Sequence, residues 1–325
     1  MNLNRRTVLA AAALTAAGLA PTAHAQAYPQ RPVRIVSPFP PGGSADSMAR
    51  ALAEELAKRT GQSFVVENKP GAGGGLGAST VAKAAPDGYT IVIGAAGAMA
   101  INTSLYKSLP YDPVADFAPI SLIGYSPVLL VAHPKDTAST VQELIAAAKA
   151  APGKLSFASN GNGTAHHLTA ELFLQTARVD MLHIPYNGSA PAFQDVVSGR
   201  VPYGFLDLTL ALPLMAAGRL KGIATTGLKR SAAVPNIPTV AESGLGGFDA
   251  VGWFGFFAPA NTPPEVIASL NGHVRAVLSE PAFKAKALAL AVDPQATSPQ
   301  ELAAYQKSEM AKWAKVIKLA NVTVQ

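Results

Sequence analysis

The sequence predicts an α/β protein of two lobes, with parallel or mixed sheets flanked by helices. Three observations lead there. Short runs rich in Val, Ile and Phe alternate with helical periodicity along most of the chain, the pattern of strands covered by helices. The chain has 325 residues, 49% of them apolar, enough for one large or two medium domains with a sizeable core. Two Gly/Pro-rich stretches, Gly124–Pro127 and Gly244–Pro259, are suited to carry the chain between lobes. They predict a first lobe built from residues 26–124 and 251–325, with residues 125–250 inserted as the second. A cleft between two such lobes is a common small-molecule site.

Arg31–Phe39 reads as the first strand, ended by Pro38-Phe39-Pro40-Pro41-Gly42-Gly43. Ser44 is an N-cap candidate for a helix with Met48, Leu52 and Leu56 on one face, and Gly61 closes it. Ser63–Glu67 and Thr90–Gly94 read as strands, then Phe117–Ile123 and Val128–Ala132 as two more around Gly124–Pro127. A capping box, Thr140-x-x-Glu143, opens a helix that Pro152-Gly153 closes. Short strands fit Leu155–Ala158, Met181–Ile184, Val201–Phe205 and Leu220–Thr225. Thr262-Pro263-Pro264-Glu265 opens a helix with Val266, Ile267, Leu270, Val274 and Val277 on one side. Ser298-Pro299-Gln300-Glu301 opens the last, carrying Leu302, Tyr305, Trp313, Val316 and Ile317.

Met1–Ala25 has the layout of an export signal: Arg5 and Arg6, an apolar run from Val8 to Ala20, and small residues at Ala23-His24-Ala25. Cleavage is expected after Ala25 or Ala27, by the Sec or the twin-arginine route. The run is too short to span a bilayer, and the chain contains no Cys to carry a lipid anchor. The absence of Cys also excludes disulfides, thiol catalysis and iron–sulfur clusters. Without Arg5 and Arg6, 24 basic and 20 acidic residues leave a net charge of +4 instead of +6. Lys and Arg are scattered, so no nucleic-acid footprint exists. A periplasmic location is expected, with no membrane insertion of the mature chain. Gly and Pro together make 54 residues, about a sixth of the chain against the usual ~12%, which predicts many tight turns.

Chemistry is expected mostly from backbone. Pro41-Gly42-Gly43-Ser44-Ala45-Asp46 joins a strand to a helix, where unpaired N–H groups suit an anion and the Ser44 hydroxyl adds a donor. The same stretch could instead be a structural turn, and Asp46 a first-turn carboxylate complementing the helix dipole. Ser159-Asn160-Gly161-Asn162-Gly163-Thr164-Ala165-His166 repeats the design. Neither loop contains Lys or Arg. Paired across a cleft, the two could hold a small carboxylate and release it without breaking an ion pair. Asp207 ends an apolar strand, where it could accept hydrogen bonds from a ligand or cap the helix near Thr209. Tyr186 could close over a ligand or pack under its loop, and Trp253, Phe254, Phe256 and Phe257 suit core or hinge.

Other motifs are weaker. Gly73, Gly75 and Ala78 satisfy G-x-G-x-x-A, yet Asn68-Lys69-Pro70 separates them from the strand and no acidic residue follows at the required distance. That segment reads as a tight connection. His166 and His167 point about 100° apart on a helix and cannot share a metal. They and His133 and His183 read as hydrogen-bonded loop or helix-start residues. Ser44 or Ser159 with His166 and Asp207 could be assembled into a hydrolase triad, but no G-x-S-x-G marks a nucleophile.

Together, these segments resemble the Bug family, the TctC-like solute-binding receptors of tripartite tricarboxylate transporters. The matching stretches are Pro38–Gly43, Glu67–Gly74, Ala85–Thr90, Leu105-Tyr106, Leu109–Pro113, His183–Tyr186 and Ile237–Gly244. The resemblance implies a two-lobe periplasmic-binding-protein fold, a Venus flytrap, with the ligand carboxylate held by Pro41–Asp46 and Ser159–His166. It places Tyr186 and Asp207 at family positions near the cleft. The expected sites are therefore Pro41, Gly42, Gly43, Ser44, Asp46, Ser159, Gly161, Gly163, Thr164, His166, Tyr186 and Asp207. Gly75 stands where many members have Asn, and Asn160-Gly161-Asn162 is a variable part of the second loop. The implied ligand is a di- or tricarboxylate or an acidic amino acid, and the implied partners are integral-membrane transporter subunits. No enzymatic activity, cofactor or metal is expected, and a monomer is. The rival readings are a secreted hydrolase and a ligand-binding accessory of a sensor kinase.

Overall fold

The computed structural model describes residues 28–323. The export signal and its two cleavage points lie outside them. From the N-terminus, β1 (Val33–Ser37) leads to α1 (Ser44–Thr60), β2 (Phe64–Asn68), α2 (Gly75–Ala82), β3 (Thr90–Ala95), α3 (Asn102–Leu105) and β4 (Phe117–Ala132). Then come α4 (Val141–Ala150), β5 (Ser156–Ser159), α5 (Ala165–Ala177), β6 (Leu182–Pro185), α6 (Ser189–Val197), β7 (Tyr203–Asp207), α7 (Leu208–Ala216) and β8 (Lys221–Thr225). The chain returns through β9 (Val251–Pro259), α8 (Pro264–Ser279), α9 (Pro281–Ala289), β10 (Asp293–Pro294) and α10 (Pro299–Ala320).

The architecture is mixed α/β, a curled sheet flanked by helices, with strand order β2-β1-β3-β9-β4-β7-β5-β6. β1 lies parallel to β2 and β3, while β9 runs antiparallel between β3 and β4. On the other side, β5 is parallel to β6 and β7. β4 belongs to both halves. It pairs with β9 as far as Pro127 and with β7 and β8 from Val128 onward.

This corrects two expectations. Gly124–Pro127 interrupts no strand: β4 is continuous over sixteen residues. Pro127 falls where the ladder changes partner, the position at which a missing N–H costs least. Gly124 is required by packing, because a Cβ there would lie 2.6 Å from the Asp293 carbonyl oxygen. Within the Gly244–Pro259 stretch, Val251–Pro259 forms no loop. It is a central strand, and Trp253, Phe254, Phe256 and Phe257 are buried core. The Gly71–Ala78 segment is a short 3-10 turn at Ala72–Gly74 followed by α2. Gly77 lets α2 approach β1's end, since a Cβ would meet Pro38 at 2.7 Å.

Local signals held elsewhere. Both capping boxes form, Thr140 with Glu143 and Ser298 with Glu301. Met48, Leu52 and Leu56 are fully buried on α1, as are Leu270 and Val274 on α8. One apolar cluster runs from Val36 and Met99 through Trp253 and Trp313 to Phe157, Phe173 and Phe205, joining the two halves of the sheet. Among the described residues no helix is long and apolar enough to cross a membrane.

Candidate functional site

In open parallel sheets, ligands bind beyond the carboxyl ends of the strands. Here those ends carry two Gly-rich loops: β1 runs through Pro38–Gly43 into α1, and β5 through Asn160–Thr164 into α5. Ser44 is the first residue of α1 and does not cap it; the N-cap is Gly43, which offers no side chain. The reason lies one turn on. Asp46 is buried, and its Oδ2 accepts the Gly42 N–H at 3.0 Å and Arg50 Nε at 3.0 Å. Its Oδ1 accepts Asn68 Nδ2 at 2.7 Å, and Asn68 Nδ2 also reaches the Phe39 carbonyl at 3.0 Å.

Burial pushes the Asp46 carboxyl up, but the bonds from Arg50, Gly42 and Asn68 outweigh it and hold it below its ordinary range. Asp46 is thus an internal staple, and the expectation that it simply complements the helix dipole is too small. Gly42 adopts φ +89°, and Pro41, Gly42 and Gly43 are exposed. Ser44 is half-buried at the helix start, whose first-turn N–H groups lack intrahelical acceptors.

The second loop is held by rings. The Phe157, His183 and His167 rings stack in sequence, at centroid separations of 5.0 Å and 3.8 Å. His167 Nδ1 accepts the Gly163 N–H at 3.0 Å, and its Nε2 faces Glu171 at 3.3 Å. Ser159, fully buried, places its Oγ 2.7 Å from His183 Nε2. Burial, with the positive charge His167 can carry as a lesser cause, lowers the His183 pKa from 6.5 to about 3. Thr164 caps α5, accepting the His167 N–H, and donates to the Gly161 carbonyl at 2.8 Å. Gly161 and Gly163 adopt φ +139° and +70°. Both stacked histidines are structural supports, in line with the hydrogen-bonded reading. His133 is too, its Nδ1 accepting the Lys135 N–H at 3.2 Å.

Beside this loop, His166 Nε2 lies 3.1 Å from Asp207 Oδ1, and Ser189 Oγ donates to Asp207 Oδ2. Asp207 occupies the N-cap position of α7 yet makes no side-chain cap bond, which corrects the capping alternative. Burial acts to raise the Asp207 pKa, but attraction to His166 and bonds from His166 and Ser189 leave it lowered. Tyr186 points away from this cluster's carboxylate: its hydroxyl donates to Asp195 at 2.7 Å, with burial and that bond raising its pKa to about 12.

The hydrolase triad is not assembled. A nucleophilic serine needs a histidine between it and the carboxylate, whereas here Asp207 sits between Ser189 and His166. Ser159 meets His183 instead, a ring too weakly basic at a pKa of about 3 to draw a proton near neutrality. Among the described residues no group of three His, Asp or Glu could hold a metal.

Sequence reasoning missed Arg50, Asn68, Ser189 and the His167–His183 stack. Arg50 had a signal, being four residues past Asp46 on one helix face. Asn68, Ser189 and His183 are joined to their partners by tertiary contacts between separate elements, which leave no mark in local spacing.

A curled two-part α/β sheet with paired strand–loop–helix motifs defines a two-lobe periplasmic solute-binding protein. Residues 48–322 match the profile of the tripartite tricarboxylate transporter family receptor, TctC. The chain belongs to that family of receptors. It is 37% identical to BugT of Bordetella pertussis over 319 residues, covering 98% of each chain. Among solved structures, R. palustris Rpa4515 with adipate superposes with a TM-score of 0.83 at 37% identity, covering 91% of this chain and 99% of that one. The periplasmic binding protein BugD gives 0.78 at 37% identity, covering 92% and 100%.

Proposed function

We propose that the protein is a periplasmic receptor that captures a small carboxylate, of di- or tricarboxylate or acidic amino acid type, and delivers it to a tripartite tricarboxylate-type membrane transporter. The lobes that close on it are residues 26–124 with 251–325, and residues 125–250. One observation carries the reading: two strand ends each present a Gly-rich loop and a helix start, and neither loop contains Lys or Arg. Neutral donors of this kind hold an anion reversibly.

In this reading the first-turn amides at Gly43 and Ser44, with the Ser44 hydroxyl, take one carboxylate oxygen. Pro41 and Gly42 shape the approach, and Asp46 positions the loop from behind. Gly161, Gly163 and Thr164 present the opposite loop, with Ser159 as its buried support and Tyr186 at its rim. His166 and Asp207 face the ligand beyond the carboxylate. The structure with adipate of a 37%-identical relative supports the ligand class. Closure follows from the ligand's higher affinity for the closed state.

The test is isothermal calorimetry of ligand-stripped protein against di- and tricarboxylates, aspartate and glutamate. A saturable isotherm with at least one is expected. Failure of every carboxylate to bind folded protein overturns the reading. Co-purification of membrane transporter subunits with the loaded receptor tests delivery.

A further inference from the structure

On the carboxylate reading, upon which this inference rests, the two poles of the proposed site differ in chemistry. The pole at the first loop offers hydrogen-bond donors. The pole at the ends of β5, β6 and β7 ends in an acceptor. Asn160 Nδ2 donates to Ser189 Oγ at 3.3 Å, and Ser189 Oγ to Asp207 Oδ2. His166 Nε2 meets the other oxygen at 3.1 Å. The run from Asn160 through Ser189 is directional, each group donating towards Asp207, whose side chain keeps 23% of its exposure.

The helix that follows Asp207 is tied to the end of α9. Two residues past Asp207, Thr209 Oγ1 donates to the Leu290 carbonyl at 2.9 Å. Leu290 lines a groove with Ser47 and Ala51 of α1's first turns. Leu290 thus lies between the start of α7 and the Ser47–Ala51 face of α1.

We propose that Asp207, positioned by His166 and Ser189, selects carboxylates bearing an amine or hydroxyl over unsubstituted dicarboxylates. A carboxylate offers about four lone-pair sites, and His166 and Ser189 use two, leaving acceptor capacity for a ligand donor. A bare second carboxylate at the same place meets a like charge with no Lys or Arg in either loop to offset it.

The experiment compares ligand pairs by calorimetry on the wild-type mature chain: aspartate against succinate, glutamate against glutarate, and 6-aminohexanoate against adipate. Each pair shares an anchoring carboxylate and a carbon count. The donor-bearing member is expected to bind about tenfold or more tightly in at least one pair, the scale of one charge-assisted hydrogen bond. Asp207→Asn should reduce that preference to about twofold or less, and Ser189→Ala, which frees Oδ2, should enlarge it. Equal or tighter binding of the plain dicarboxylate in every pair overturns the proposal and leaves the receptor reading intact. So does a preference that survives Asp207→Asn unchanged. If no member of any pair nor any other carboxylate binds, the receptor reading fails and this proposal with it. Should Asp207→Asn not fold by circular dichroism, the wild-type pairs and Ser189→Ala decide.

Discussion

The two loops have one plan and opposite supports. Each leaves a parallel strand, turns on glycines in the left-handed region and enters a helix. The first is tied by a buried carboxylate, Asp46, which collects the Gly42 N–H, Arg50 and Asn68. The second is underlain by stacked rings, Phe157, His183 and His167, with its carboxylate supplied from a neighbouring strand by Asp207. The same backbone task is met once by charge turned inward and once by aromatic packing, with a partly exposed carboxylate beside it. The difference teaches that a loop's support, more than its sequence pattern, sets which groups stay free for a ligand.

The largest expected difference is in acid. An imidazole in the unfolded chain takes a proton near pH 6.5, while native His183 does so only near pH 3. Its contribution is therefore complete above pH 6.5 and is lost as pH falls from there towards 3. Asp46 is lowered below the ordinary carboxylate range, so its contribution is lost only as pH falls below about 4. Amide hydrogen exchange followed against pH should show the second loop losing protection first, beginning about two pH units above the first. Simultaneous loss would erase the distinction.

Asp46→Ala should destabilise by about 3 kcal/mol, because the loop N–H and the Asn68 amide lose their acceptor, although half-exposed Arg50 regains water. Chemical denaturation measures it. His183→Ala should cost about 2 kcal/mol through lost ring packing. A larger cost than for Asp46→Ala would reverse the ranking of the two supports. Thr164→Ala removes the α5 cap and should cost about 1 kcal/mol, with no counterpart at Gly43. Tyr186→Phe, which forfeits a bond to Asp195 at the second loop's rim, should cost about 0.5–1 kcal/mol by the same measurement.

Much of this was legible in the sequence where the cause is local. Both capping boxes and the fourfold spacing of Met48, Leu52 and Leu56 fixed helices within a residue or two. Both loops were marked by a strand, then Gly and small polar residues, then a helix. Legibility ended where partners lie far apart. Gly124 and Pro127 look like turn residues, and nothing in their neighbourhood says that β4 runs straight through them. The reason is the Asp293 carbonyl and the change of partner from β9 to β7, both distant along the chain.

The sequence by itself determined most helix starts and the two bare loops, since periodicity, capping and backbone freedom act over a few residues. The tertiary structure decided which polar groups face inward and which remain available. That choice rests on pairings such as Asp46 with Asn68, His167 with His183 and Asp207 with Ser189. A buried polar group must find its partner in space, and the strands that bring those partners together are set only by the assembled sheet.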